Sequence, residues 1–183
     1  MLAKMRVLST RSQTDWGIPE DMTSPHDFKS AIFELSGLER NPNPSRRLNA
    51  LVRTGKSVYA EFKEHVLPRL QAKDKGDTVL AADDLLPIFI FIICRSHLRH
   101  PLLNKDVLWG VCHPDLLRGE CGYYLAMYES ALQYILEQSV DVSTVALGDL
   151  TNYFDSDYSV LSDDESVPLS RPLSRRSLFS SRN

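Results

Sequence analysis

Apolar residues recur at steps of three and four positions along much of the chain, the spacing that places them on one face of an α-helix. Residues 24–35 predict a first helix, which Ser24 or Asp27 can cap. A second, longer helix is predicted from residue 45 onwards. Its apolar stripe consists of Leu48, Leu51, Val52, Val58, Tyr59, Phe62, Val66 and Leu67. Pro68 should end or bend this helix, because proline lacks the backbone N–H that a helix interior uses.

The run Leu85–Cys94 is apolar throughout, and periodicity alone does not distinguish a buried strand from a buried helix at this length. Its flanks favour a helix. Asp83 or Asp84 can accept hydrogen bonds from first-turn amides, and Pro87 is expected in that same first turn, where its missing donor costs little. The cationic sequence RSHLRH follows at the negative pole. We therefore predict a helix over residues 84–97.

Two more helices are predicted further along the chain. LLNKDVLWGVC reads as a short helix, and the next one has an apolar stripe with polar residues on its opposite face. That stripe consists of Leu125, Tyr128, Leu132, Ile135 and Leu136. No pair of alternating segments predicts a β-hairpin, so the predicted class is all-α, a layered helical domain over residues 26–148.

The two ends of the chain differ from this helical part. Residues 1–25 are polar and interrupted by Gly17, Pro19 and Pro25, which predicts a flexible leader. Residues 149–183 are rich in serine, with acidic residues first and arginines after, and hold too few apolar residues to offset chain entropy. We predict a disordered tail there.

Composition and charge narrow the class of protein. The formal net charge of −3 argues against a nucleic-acid partner, because phosphate-driven binding needs clustered Lys and Arg. No apolar run reaches the roughly 18–20 residues that a membrane-spanning helix needs. The 3 cysteines follow no disulfide spacing, and no secretory signal is evident, so a soluble, cytoplasmic protein with reduced thiols is expected.

Two motifs suggest chemistry that their surroundings do not support. The phosphate-binding loop that TGKS resembles needs a glycine where Ala50 stands, and a preceding strand where the pattern is helical. Cys94, His97, His100 and Cys112 lack the paired spacing of structural zinc ligands. We expect neither a metal nor a cofactor, and a binding or regulatory module is favoured over a metabolic enzyme.

Two blocks of sequence carry a family resemblance. ADDLLPIFIFII, followed some thirty residues later by LLRGECGYYLAMYESALQYI, resembles the signature of the Vps-nine (vacuolar protein sorting nine) domain family. LNALVRTGKSVYAEF extends the resemblance upstream, so that it covers roughly residues 45–138. Members of that family are all-α guanine nucleotide exchange factors for Rab-five-subfamily small GTPases on early endosomes.

The resemblance implies roles for individual residues. Asp83 corresponds to an acidic finger that the family directs at the phosphate loop and magnesium site of the GTPase. Pro87 would shape the contact surface, and Tyr123 would touch the switch regions. Asp84 can cap the helix beside the finger. Asp84, Tyr124 and Ala126 are further candidate contacts with the GTPase, and Tyr124 is the alternative to Tyr123 as the contacting ring.

Ala126 departs from the family pattern, which usually has threonine there. The runner-up hypothesis is therefore a non-catalytic adaptor that binds an endosomal GTPase or self-associates. A helical scaffold that recognises no GTPase is a third possibility. In either GTPase-binding case the protein would be peripheral on early endosomes. In the tail, Ser162 lies in an acidic motif, and Ser174 and Ser177 lie among arginines, so these serines are candidate phosphorylation sites.

Overall fold

The computed structural model describes residues 1–72, 80–143 and 145 of the 183-residue chain. The α-helices of these residues are α1 (Leu2–Leu8), α2 (Lys29–Leu35), α3 (Gly37–Arg40), α4 (Pro44–Glu61), α5 (Leu67–Gln71), α6 (Ala82–Arg95), α7 (Pro101–Val111) and α8 (Glu120–Glu137). Short 3-10 turns lie at Thr14–Trp16 and Glu20–Met22. No strand occurs in these residues, so the predicted all-α class is confirmed for the described structure.

The central helix is α6, formed by the most apolar run of the sequence. Every side chain from Ile88 to Cys94 is buried, and α8, α2 and α1 all pack against it. The helix begins and ends two residues earlier than the predicted range of 84–97. His97 has a left-handed backbone, with φ at 55°, which accounts for the earlier end.

The start of α6 also corrects the predicted position of Pro87. Ala81 is the N-terminal cap residue, and its N–H donates to the Asp84 carboxylate over 3.0 Å. Asp84 therefore closes the helix start from within the first turn, and Pro87 falls in the second turn. A proline at this point leaves the Asp83 carbonyl without its usual helical donor, because that donor would be the missing N–H of Pro87.

The helix predicted from residue 45 is divided in the structure. The 18-residue α4 runs from Pro44 to Glu61, and a π-helical turn over Phe62–Val66 joins it to α5. Pro68 lies inside the first turn of α5, where its missing N–H costs little. The chain therefore continues past this proline as far as Gln71.

The expected flexible leader over residues 1–25 is wrong. Met5 and Leu8 are fully buried, and Trp16, Ile18 and Met22 are at most 8% exposed. Lys4 Nζ donates to the carbonyl oxygens of Leu136 and Gln138 and so ties α1 to the end of α8. The glycine and prolines divide this segment into short turns, but its apolar side chains still join the core.

A buried carboxylate connects this N-terminal segment to α4. Glu61 accepts hydrogen bonds from the Ser24 hydroxyl and, over 3.1 Å, from the Phe28 N–H. Burial raises the pKa of Glu61. The predicted side-chain cap of α2 by Ser24 or Asp27 is wrong, because Phe28 is the cap residue and Asp27 pairs with Arg95 over 3.3 Å.

The predicted tail over residues 149–183, with Ser162, Ser174 and Ser177, lies outside the described residues. In the part of the chain that the structure does describe, no helix combines the length and the apolar character needed to cross a membrane.

Candidate functional site

The N-terminal end of α6 is the part of this helix that reaches solvent most fully. Asp83 is exposed, and Leu86 and Pro87 are half-buried, whereas every residue from Ile88 to Cys94 is buried. Among the described residues, the Asp83 carboxylate has no hydrogen-bonding or ion-pairing partner. A helix with a buried centre thus presents a negative charge at its solvent-facing end.

Asp84 is used differently from its neighbour. Its side chain is half-buried and accepts the Ala81 N–H over 3.0 Å. Ala81 has no side-chain acceptor, so only this half of a capping box forms. The carboxylate also lies at the positive pole of the helix dipole, where a negative charge is favourable. Asp84 therefore fixes the start of α6 and holds the backbone from which Asp83 projects.

Glycines determine how the chain enters α8. Gly119 is the N-terminal cap residue of α8. Its φ is 72°, a left-handed backbone conformation that residues other than glycine rarely adopt. A Cβ on Gly122 would lie 1.8 Å from the carbonyl oxygen of Leu117, so only glycine lets the preceding loop pass this close to the helix. The two glycines of GECGYY thus place both following tyrosines in the early turns of α8.

Tyr124 belongs to the core. It is 4% exposed and stacks on Phe89 of α6, with ring centroids 5.9 Å apart and planes at 13°. Its ring also covers Gly55 of α4, where an added Cβ would lie 2.1 Å from a ring carbon. Burial raises the pKa of Tyr124 to about 12. The ring therefore joins three helices and is unavailable as the main contact with a partner.

Tyr123 faces solvent. Its side chain is 43% exposed, and its ring meets that of Tyr124 edge-on at a centroid distance of 5.1 Å. Ala126 is also exposed and follows three residues later, on the same side of the helix. Because Tyr124 packs on Phe89, two residues after Pro87, the core holds the open end of α6 and the start of α8 together.

Tyr59 of α4 adds a further aromatic ring that the sequence pattern did not indicate as exposed. The predicted apolar stripe includes Tyr59, but the structure leaves it 37% exposed. Partial burial and the neighbouring Tyr59 phenol raise the pKa of Tyr123. Lys56 of α4 pairs with Glu120 of α8 over 3.2 Å at the same junction. Tyr59 follows the helical spacing of the apolar stripe, so the sequence pattern gave no signal of its exposure.

No group of three or more His, Cys, Asp or Glu side chains able to hold a metal ion occurs among residues 1–72, 80–143 and 145. Cys94 is fully buried, and burial raises the pKa of its thiol to about 12, so the thiolate that a metal needs is strongly disfavoured. The exposed residues of this site are thus the Asp83 carboxylate and the rings of Tyr59 and Tyr123, beside the half-buried Pro87.

Comparison with known proteins identifies the family of the chain that carries this surface. Residues 28–139 match the family model of the Vacuolar sorting protein 9 (VPS9) domain. The chain belongs to the VPS9 family. This is the family that the sequence blocks resemble, and the match includes α2 to α8 and every residue of the candidate site.

Individual relatives align over the same domain. Ras and Rab interactor 3 of Mus musculus is 26% identical over 129 residues, which are 70% of this chain and 12% of that protein. Receptor-mediated endocytosis protein 6 of Caenorhabditis briggsae is 30% identical over 118 residues, 64% of this chain and 10% of that protein. VPS9 domain-containing protein 1 of Homo sapiens is 29% identical over 115 residues, 60% of this chain and 18% of that protein. The chain thus spans less than a fifth of the length of each of these relatives.

Proposed function

We propose that this protein is a guanine nucleotide exchange factor that releases GDP from small GTPases of the Rab-five subfamily on early endosomes. Membership of the VPS9 family supports the partner class. The observation that carries the proposal is the exposed Asp83 carboxylate at the open end of a helix that is buried from Ile88 to Cys94. A charged group on such a rigid base can enter a partner without losing its own position.

The proposed mechanism is electrostatic and involves no covalent intermediate. The nucleotide site of a GTPase holds phosphates with a lysine and a magnesium ion. A carboxylate that enters this site competes for both positive groups and repels the phosphates. Each 1.4 kcal/mol by which the bound nucleotide is destabilised relative to its exit barrier speeds release about tenfold.

The neighbouring residues supply the contact that brings Asp83 to the nucleotide site. Tyr123 offers an exposed aromatic ring with a phenol that can donate a hydrogen bond, a combination common in protein interfaces. Pro87 presents a rigid, half-buried surface one turn after Asp83. We assign Asp83 as the residue that displaces the nucleotide, and Pro87 and Tyr123 as contacts with the GTPase.

Release of the exchange factor follows from linkage. The exchange factor and the nucleotide weaken each other's binding to the GTPase by the same ratio. Incoming nucleotide therefore lowers the affinity of the exchange factor for the GTPase. The factor therefore binds nucleotide-free GTPase most tightly and dissociates when nucleotide returns.

The deciding experiment measures release of fluorescent GDP from a panel of early-endosomal Rab GTPases. The wild-type chain should accelerate release from at least one of them. Asp83→Asn, which keeps the shape and removes the charge, should lower the acceleration at least tenfold while the melting temperature stays within a few degrees. Asp106→Asn is the control, since Asp106 is an exposed carboxylate on α7, a helix that contributes no residue to this surface.

A second function is favoured by one observation, the exposed Ala126 beside Tyr123 where the family pattern has threonine. If the lost hydroxyl is essential to exchange, the chain is an adaptor that binds the GTPase without releasing its nucleotide. Binding to nucleotide-free GTPase with no acceleration of GDP release, and no effect of Asp83→Asn, would establish the adaptor. Failure to bind any GTPase of the panel would refute both functions.

A further inference from the structure

We propose that Tyr59 of α4 is a further contact residue for the GTPase, so that the binding surface extends from α6 and α8 onto α4. This inference rests on the proposed function. Tyr59 lies in the upstream segment over residues 48–62, to which the family resemblance assigned no contact role.

The position of Tyr59 follows from the packing of Tyr124. Gly55 lies directly under the Tyr124 ring, and Tyr59 follows Gly55 by four residues, on the same face of α4. Tyr123 meets the same ring edge-on, with ring centroids 5.1 Å apart. Tyr59 therefore lies one turn along α4 from the glycine that Tyr124 covers, and Tyr123 lies against the same ring.

Two observations support the closeness of the exposed rings. Lys56 and Glu120 pair over 3.2 Å and join α4 to the first turn of α8, beside these tyrosines. The Tyr59 phenol is also among the causes that raise the pKa of both Tyr123 and Tyr124. Tyr59 lies three residues after Lys56, and Tyr123 lies three residues after Glu120, so the ion pair places both exposed tyrosines at the same helix junction.

The exposure of these rings favours a role in binding. Tyr59 is 37% exposed and Tyr123 is 43% exposed, so part of each ring is open to contact with another protein. Single exposed aromatic residues are common, but here two lie at one helix junction, and tyrosine is enriched among the residues that dominate binding energy. Their neighbouring phenols add hydrogen-bonding groups to an apolar surface.

The occupant of this surface follows from its continuity with Tyr123. A GTPase segment that touches Tyr123 and Ala126 on α8 meets Tyr59 if it extends towards α4. The Lys56–Glu120 pair borders the same area and offers both signs of charge at its rim. A partner with an apolar side chain and a hydrogen-bond acceptor facing the phenols fits this chemistry.

The test compares Tyr59→Ala and Tyr59→Gln with the wild-type chain and Tyr123→Ala. For each protein we would measure GDP release, affinity for nucleotide-free GTPase and melting temperature. Both Tyr59 variants should lower affinity and the kcat/KM of release about fivefold to tenfold, as loss of an interface tyrosine commonly does. Glutamine is a good helix former, and its longer side chain still covers part of the area that the ring covers, so Tyr59→Gln retains the fold if truncation to alanine disturbs it.

Tyr134→Ala is the matched control. Tyr134 is likewise 43% exposed and lies on α8, three turns beyond Tyr123 and next to Trp16 instead of the junction. Its loss should leave exchange within twofold of the wild type. A wild-type chain that neither binds nor exchanges any Rab would refute the proposed function and this inference with it. An active wild type in which Tyr123→Ala is impaired and a folded Tyr59 variant is not would overturn the role of Tyr59 alone.

Discussion

Two pairs of identical neighbours, Asp83–Asp84 and Tyr123–Tyr124, divide between the packed and the open side of the junction of α6 and α8. Asp84 bonds back to the start of its helix, and Tyr124 fills the space between three helices. Asp83 and Tyr123 face solvent. Adjacent residues on a helix point about 100° apart. In each pair, one residue therefore packs against the protein and the other, identical residue faces solvent.

This division makes each pair an internal comparison in which the residue type is constant and only the environment differs. Substitutions on the packed side should lower the free energy of unfolding, and any loss of exchange there should follow the loss of fold. Substitutions on the open side should lower exchange and leave stability nearly unchanged.

The largest effect is expected for Gly122→Ala, on the packed side. Its new Cβ would lie 1.8 Å from the Leu117 carbonyl oxygen, so either the loop or the helix must move. Overpacking against backbone should lower the free energy of unfolding by about 3 kcal/mol or more. Urea denaturation measures this value.

Gly110→Ala provides the control, because a Cβ at that position of α7 meets no atom within 4 Å. Alanine should stabilise the protein there by about 0.5 kcal/mol through lower entropy of the unfolded chain. Equal unfolding midpoints for the two variants would show that the close approach at Gly122 does not exist.

The tyrosine pair should give the next largest difference. Tyr124→Ala removes a buried ring stacked on Phe89 and should cost about 3 kcal/mol of unfolding free energy. Tyr123→Ala should cost less than about 1 kcal/mol, as expected for a largely solvated side chain, yet lower exchange about tenfold. Thermal unfolding and GDP release on the same preparations separate the two effects. If Tyr124→Ala were as stable as Tyr123→Ala, the assignment of Tyr124 to the core would be wrong.

Sequence reasoning succeeded where a local pattern and its flanks agree. The range of α6 was predicted to within two residues, because apolar length, acidic start and cationic end all favour one helix. Most of the predicted α8 stripe is buried: Leu125, Tyr128, Leu132 and Ile135. The shift of α6 arose from a cap residue, Ala81, that has no recognisable capping side chain of its own.

The remaining features depend on contacts between distant parts of the chain. Residues 1–25 join the core through short turns whose burial depends on α6 and α8, and no local pattern reports such partners. The need for glycine at position 55 comes from the Tyr124 ring, nearly seventy residues away. Tyr59 fits an apolar stripe in sequence, and only the packing of α4 against α8 shows that its ring remains partly in solvent.

The aspartate pair should show a smaller difference in stability. Asp84→Asn weakens the hydrogen bond to the Ala81 N–H and removes the favourable charge at the helix start, which together should cost about 1 kcal/mol. Asp83→Asn should cost less than about 0.5 kcal/mol because its carboxylate contacts only solvent and the helix dipole. Urea denaturation of both variants, beside their GDP-release rates, makes the comparison. Greater destabilisation by Asp83→Asn than by Asp84→Asn would reverse the assigned roles.

The smallest effect is expected at Ala126, on the open side of α8. Ala126→Thr restores the hydroxyl of the family pattern, and a single recovered hydrogen bond of about 0.5–1.5 kcal/mol should raise exchange roughly twofold to tenfold. In Ala126→Val, valine has the shape of threonine without the hydroxyl and lowers helix propensity by a similar amount. This variant should therefore not raise exchange. Stopped-flow GDP release resolves this difference. Equal rates for the threonine and valine variants would mean that no GTPase group lies within hydrogen-bonding reach of this position, and the missing threonine would then no longer favour the adaptor hypothesis.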